Sequence, residues 1–267
     1  MKLSRREFLG LVGVLGLSSC ARVNLPLVRG GQRGPFRVAA MSDLHVVDAR
    51  STAIVNHAIE KINRTEQIRF TVVLGDLTGN GKLSELNLAK KSLDRLKMPY
   101  LALPGNHDVE PRASNMYGNI EKVFGKTQWT REEADWVFIG LNSCEGGSSD
   151  VSIAPERIEW LQEQLRHVKP KQPIALFAHH PFNPHTKQYR IKNADEVLGV
   201  FSGHHLKLVA SGHWHGNQVE EQNGILFAMT ACCSSTRTNF DDTSAKGYRL
   251  FRFEGDQVET EFVEVTT

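Results

Sequence analysis

Four cysteines in 267 residues, no two of them spaced Cys-x-x-Cys, leave little room for cysteine chemistry. That spacing argues against a zinc ribbon or a thioredoxin-like redox site. Cys20 falls in the amino-terminal segment, leaving Cys144, Cys232 and Cys233, an odd number. Adjacent cysteines such as Cys232 and Cys233 are poor partners for each other, because the ring strains the backbone between them. A disulfide from Cys144 to either is open in an oxidising compartment; small buried thiols are the plainer expectation. Charge of one sign is also missing. A formal net charge of +2 does not draw a nucleic acid or a membrane surface by electrostatics alone, so a nucleic-acid partner is not expected. The chain shows no internal repeat and no low-complexity segment. At 40% hydrophobic and 23% charged, it has what a folded α/β domain needs to bury a core.

Nor is there an apolar run long enough to span a bilayer. Residues 1–20 place Lys2, Arg5 and Arg6 ahead of a short apolar stretch from Phe8 to Leu17, interrupted by Gly10, Gly13 and Gly16. Ser4-Arg5-Arg6-Glu7-Phe8-Leu9 resembles a twin-arginine export signal. Leu17-Ser18-Ser19-Cys20 resembles a lipobox, whose cysteine is lipidated and becomes the first residue of the mature chain. Residues 1–20 are therefore expected to be an address and 21–35, with Gly30, Gly31 and Gly34, a flexible tether. The expected location is outside the cytoplasm, periplasmic or at the cell surface, with the membrane met only through a lipid on Cys20. The folded domain is expected over 36–267.

From Pro35 onward, short apolar runs alternate with helical patterns. Phe36–Met41, Phe70–Leu74, Tyr100–Leu103, Trp136–Leu141, Ile174–Ala178 and Leu206–Ala210 read as buried strands. Ser51–Asn63, Lys82–Leu96, Pro155–His167 and Ala194–Phe201 read as helices. The alternation predicts an α/β fold. Beyond residue 216 the pattern turns to strands, closing with Tyr248–Glu254, a Gly255-Asp256 turn and Val258–Val265, a hairpin signature.

The polar residues gather at one place in this rhythm. Asp43 and His45 follow the first strand, Asp76 the second, and Asn106, His107 and Asp108 the third. His179 and His180 follow Ala178, and His213 and His215 follow Ala210. Five strands each deliver residues of metal-ligand type at their carboxyl ends, the edge where open α/β sheets bind ligands. Asp-x-His or Gly-Asp alone means little, and Gly-Asn-His-Asp or Gly-His-x-His could each be a turn. In this order, each after a strand and most beside a glycine that lets the backbone bend tightly, the set points to a metal site.

These five motifs, Asp43-x-His45, Gly75-Asp76, Gly105-Asn106-His107-Asp108, the histidine of the 179–180 pair and Gly212-His213-x-His215, resemble the calcineurin-like metallophosphoesterase family over residues 43–215. The resemblance implies a four-layer α/β/β/α sandwich of two mixed sheets, in the single-domain form similar to cyclic nucleotide phosphodiesterases and purple acid phosphatase cores. It implies that Asp43, His45, Asp76 and His215 hold one metal, and that Asp76 bridges to a second held by Asn106, His179 and His213. Either His179 or His180 could be the ligand; the family pattern, two residues before a proline, selects His179 ahead of Pro181. Imidazole suits zinc, iron and manganese, while carboxylate and amide oxygens suit manganese and harder iron, so two divalent or mixed-valence ions are expected. Two cations about 3.5–4 Å apart activate a shared water as nucleophile and neutralise phosphate oxygens. His107 is the expected general acid, with Asp108 beside it to orient or charge the imidazole.

The expected substrate is a small phosphate mono- or diester. An exported lipoprotein that keeps this fold and its metal but only binds is the alternative. A metallo-β-lactamase-type hydrolase is disfavoured, since no His-x-His-x-Asp-His run occurs. Trp214 is expected as packing or pocket wall; His185, Arg237 and Asn239 are read first as ordinary loop residues, with substrate contact by His185 and phosphate contact by Arg237 and Asn239 as the alternative.

Overall fold

A computed structural model describes residues 34–110, 113–186 and 188–266. The expected export signal, the lipid site at Cys20 and all but the last two residues of the tether lie outside the described residues.

Eleven strands and five helices follow in chain order: β1 Phe36–Met41, α1 Thr52–Arg64, β2 Ile68–Val73, α2 Leu83–Leu93, β3 Tyr100–Ala102, α3 Gly118–Phe124, β4 Trp129–Glu133, β5 Trp136–Gly140, α4 Pro155–Leu165, β6 Pro173–Phe177, α5 Ala194–Gly199, β7 His205–Ser211, β8 Gln218–Gln222, β9 Ile225–Met229, β10 Gly247–Glu254 and β11 Gln257–Glu264. They form two mixed sheets. The first runs β11-β10-β1-β2-β3, with β1, β2 and β3 parallel. The second runs β4-β5-β6-β7-β9-β8, with β5, β6, β7 and β9 parallel.

The period-2 alternation of strand side chains sorts the core into three layers. On β1, Val38 and Ala40 face the second sheet while Ala39 and Met41 face α1 and α2. On β6, Ala175 and Phe177 face the first sheet while Ile174 and Leu176 face α4 and α5. Strands buried on both faces carry no polar alternation, which is why they read as continuous apolar runs. Between the sheets, the Phe138 ring lies 5.0 Å from Phe70 and 5.2 Å from Phe253, both near-perpendicular. Trp136 shares this layer and donates its indole N–H to Gly255 O at 2.8 Å. Each such fully buried ring stabilises the sandwich by about 1.5–3 kcal/mol. The expected architecture is the one observed.

Several details differ from expectation. The helix α3 and the strand β4 have no counterpart in the sequence reading. β4 spells Trp-Thr-Arg-Glu-Glu, an edge strand whose charged residues hide its pairing with β5. The helix α3 is only seven residues and opens on glycine. Helices α2, α4 and α5 stop two or three residues short of their expected ends, each last turn loosening into the following loop. Cys144, Cys232 and Cys233 are free and buried, the plainer of the two expectations. Among the described residues, no helix is long and apolar enough to cross a membrane.

Candidate metal centre

The carboxyl ends of β1, β2 and β3 meet those of β6 and β7, so the site straddles two sheets rather than one edge. Hydrogen bonds from backbone N–H groups stitch it together. Asp43 N–H donates to Gly75 O at 3.1 Å and His45 N–H to Asp76 O at 2.9 Å, within the first sheet's loops. Cys233 N–H donates to Ser42 O at 2.9 Å, and His213 N–H to Asp43 Oδ2 at 3.0 Å, across the two sheets.

Close approach of these loops depends on two glycines. A Cβ on Gly105 would fall on the Asp76 carboxylate, and one on Gly212 would fall on the Ser42 hydroxyl. The ligand-type residues themselves occupy backbone that L residues avoid. Asp43 (φ 54°), His45 (45°), Asp76 (50°), His213 (65°) and His215 (50°) all lie in the left-handed region. Strain of this kind persists only where surroundings over-determine it, and it concentrates at functional sites.

All seven expected ligands converge. Around one centre, His45 Nε2 lies 3.2 Å from His215 Nε2 and 3.4 Å from Asp76 Oδ2, and His215 Nε2 lies 3.4 Å from Asp43 Oδ1. Around the other, His179 Nε2 lies 3.5 Å from Asp76 Oδ1, 3.3 Å from Asn106 Oδ1 and 3.1 Å from His213 Nδ1. Asp76 thus turns one oxygen to each group. The donors within 4.8 Å of one another are Asp43, His45, Asp76 and His215 in the first group, and His179, His180 and His213 in the second. His179 faces Asp76 and Asn106. His180 instead sets Nδ1 2.9 Å from Ser143 Oγ and packs its ring 4.3 Å from that of His213.

The donor set fits cations. His179 Nδ1–H donates to Leu74 O at 2.8 Å, His215 Nδ1–H to Thr238 O at 2.9 Å and His213 Nε2–H to Ser149 O at 3.1 Å. Each bond orients its ring and turns the other nitrogen into the cluster, where it can bind a cation once that nitrogen carries no proton, as hydrogen-bonded metal-ligand histidines do. Lone pairs and carboxylate oxygens crowded at these distances repel one another unless a cation or proton lies between them. Burial and the neighbouring Asp43 charge push Asp76 up to about 7. Burial pulls His45 down to about 2 and, with His179 beside it, His213 down to about 3. Burial works against the charged form of His215, but Asp43 holds it up at about 11. Burial also opposes ionised Asp43, which His215 keeps well below the usual carboxylate range. Such opposed shifts mark a tightly coupled cluster in which Asp43 and His215 pair as ions while the other imidazoles stay neutral.

His107 lines a cleft over the centre with His45, Asn106 and His213. Its Nδ1–H donates to Gly79 O at 3.0 Å. Asp108 departs from expectation: its carboxylate does not meet the His107 imidazole. Fully buried, it accepts N–H from Gly105 at 2.9 Å, Leu77 at 3.0 Å and Thr78 at 2.8 Å, buckling the β2 loop to the β3 loop. Consecutive residues of a tight turn point apart, which sequence adjacency conceals. Trp214 is buried packing. His185 pairs with Glu220 at 2.6 Å and does not line the cleft. Asn239 is a loop tie, donating to Ala245 O at 2.7 Å and accepting from Lys246. Arg237 does line the cleft, with Nη2 3.5 Å from the His107 Nδ1 already committed to Gly79. It is the one Lys or Arg in the lining, and it has no carboxylate partner among the described residues. Tyr189, Ser149, Thr238 and Phe240 also line the cleft and carry no motif that would single them out.

The family profile described as calcineurin-like phosphoesterase matches residues 36–217. A probable glycerophosphodiester phosphodiesterase, GpdQ, of Arcobacter nitrofigilis is 30% identical over 206 residues, 71% of each chain. The 3',5'-cyclic adenosine monophosphate phosphodiesterase CpdA of Escherichia coli is 24% identical over 240 residues, 82% of this chain and 86% of its own. Among solved structures, the purple acid phosphatase PPD1 from yellow lupin superposes with a TM-score of 0.67 at 14% identity, covering 88% of this chain; the match spans 52% of the lupin chain. GAP50, described as the anchor in the inner membrane complex of Plasmodium, gives 0.63 at 15% identity over 86% of this chain and 85% of that one. These two share the fold.

Proposed function

The chain belongs to the calcineurin-like phosphoesterase family and is a metal-dependent phosphoric ester hydrolase, and from that premise we propose that it is a two-metal phosphodiesterase. The observation that carries the proposal is the Asp76 carboxylate, whose Oδ2 faces the Asp43–His45–His215 group and whose Oδ1 faces His179. A carboxylate so divided is a bridge. Asp43, His45 and His215 would complete one metal site, and Asn106, His179 and His213 the other. Two cations held there would supply an activated water and neutralise charge on the phosphate as it is attacked.

The chain's own residues do the rest. Asp76 Oδ1 accepts His107 N–H at 2.9 Å, so the turn carrying the expected general acid is registered on the bridge itself. With Nδ1–H given to Gly79 O, His107 has Nε2 free to carry a proton to the leaving oxygen. The unpaired Arg237 guanidinium is placed to hold a phosphate oxygen by a forked hydrogen bond. The relatives named for glycerophosphodiesters and cyclic nucleotides both act on diesters, which supports a diester over a monoester. The Arg5-Arg6 pair and Cys20 support an exported, lipid-anchored enzyme.

The test is hydrolysis of bis(4-nitrophenyl) phosphate by protein lacking residues 1–20, loaded with Mn²⁺, Fe²⁺ or Zn²⁺. The wild type should turn over, Asn106→Ala should not, and His107→Ala should keep its metal content while losing about 10²–10⁴-fold in kcat. Absence of turnover above the Asn106→Ala level with every metal would refute the reading.

A further inference from the structure

Resting on that reading, we infer that Phe240 is a specificity-determining residue: a stacking platform that makes the site prefer phosphate esters bearing a flat aromatic ring. Phe240 is 51% exposed, the most open large hydrophobic side chain among the described residues, ahead of Val219 and Val47. A lone exposed apolar side chain is ordinary. This one is not placed at random, because it lines the cleft three residues from Arg237 and two from Thr238, whose carbonyl holds His215. Its ring lies parallel to that of His215, 12° between planes and 5.2 Å between centroids. One face is thereby seated on an expected metal ligand, and the ring remains open to an incoming group.

The loop is fastened around it. Lys246 Nζ donates to Arg237 O at 2.8 Å and to Asn239 Oδ1 at 3.1 Å. On the other side, Asp241 accepts N–H from Asn217 at 2.8 Å and from Thr243 at 3.1 Å. A ring held out by fixed backbone loses little freedom when a second ring stacks on it, which is the condition for useful affinity. Tyr189 repeats the pattern at the other donor group: its ring stands edge-on to His213 at 5.0 Å, on a residue with φ 63°. A side chain chosen for a polyol ester such as a glycerol phosphate would bind hydroxyls, whereas Phe240 offers only an aromatic ring.

The experiment measures binding, so that it stands apart from turnover. Mn²⁺-loaded protein is titrated calorimetrically with phenyl phosphate, a 5'-nucleoside monophosphate, ethyl phosphate and glycerol 3-phosphate. Wild type should bind the two ring-bearing esters about tenfold more tightly than the two without. In Phe240→Ala the ratio should fall to near one, and Phe240→Trp should restore it. A nucleotide preferred over phenyl phosphate would mark a nucleobase as the ring, and equal affinities an aryl group. A wild-type ratio near one, or one that survives Phe240→Ala, would overturn the inference even if diesters are hydrolysed. Failure to hydrolyse any diester with the ring preference intact would sink the phosphodiesterase reading and leave the platform standing.

Discussion

Replacing Asp108 separates two jobs a buried acid beside a catalytic histidine could have. If it charges the His107 imidazole, Asp108→Asn should leave the fold intact and lower kcat. The structure says otherwise: the carboxylate satisfies three backbone N–H groups, from Gly105, Leu77 and Thr78, and also accepts the Thr78 hydroxyl at 2.9 Å. Asparagine keeps one acceptor oxygen. With its oxygen toward Gly105 and Leu77, its amide faces Thr78, whose hydroxyl can turn to accept but whose N–H cannot. One buried donor is left unpaired, at about 1–3 kcal/mol. Alanine strips all three N–H groups and should cost about 3–5 kcal/mol even where water fills part of the gap. For a domain of this size those losses lower Tm by about 2–12 °C for asparagine and 6–20 °C for alanine. Thermal unfolding of the metal-loaded variants, followed by fluorescence, reads this directly. Activity of Asp108→Asn well below its Tm, in excess metal, should remain within a few-fold of wild type. An unchanged Tm with a hundredfold loss in kcat would refute the buckle and reinstate the relay to His107.

Two further outcomes follow from the site and a third from the proposed export signal. Asp76→Ala should abolish both metals whereas Asn106→Ala should lose only one, as counted by elemental analysis after gel filtration; loss of one metal in both would contradict the bridge. In metal-free protein Asp76 holds a proton below about pH 7 and His215 up to about 11, and a cation must displace both. Loading should therefore release about one more proton at pH 6 than at pH 9, with affinity rising more steeply below pH 7 than above, measured by calorimetry in buffers of different ionisation enthalpy; equal release at both pH values would show that Asp76 is already ionised. At the amino terminus, replacing Arg5 and Arg6 by lysines should retain the protein in the cytoplasm, and Cys20→Ala should release it from membranes, both read by fractionation.

The expected ligands were legible because each belongs to its own short motif at a strand end, where chain order and spatial order coincide. The alternation of apolar runs sufficed to put Asp43, His45, Asp76, Asn106, His213 and His215 at one edge, while their division into two ligand sets came from the resemblance to the calcineurin-like family. His179 and His180 could not be separated by that logic, since both follow the same strand and only ring direction, set by Leu74 O for one and Ser143 for the other, distinguishes them. Asp108 was misplaced for a related reason: adjacency in a turn says nothing about which way a side chain points. Phe240 and Tyr189 were invisible, because an aromatic residue in a loop has no signature until a neighbour from another element, His215 or His213, comes up against it. In the fold, β4 was lost to its charged edge, while the interior strands, buried on both faces, announced themselves.

The left-handed backbone at Asp43, His45, Asp76, His213 and His215 explains why these loops need so many buried carboxylate bonds. Each non-glycine residue held there costs on the order of 1 kcal/mol or more, and five of them together amount to an appreciable fraction of a domain's net stability. Asp43 takes the N–H of His213, Asp76 takes that of His107, and Asp108 takes those of Gly105, Leu77 and Thr78, so carboxylates from the loops after β1, β2 and β3 pin the strained turns. Two of these three are themselves expected ligands. The carboxylates that would receive the cations therefore also hold the geometry of the loops that carry them.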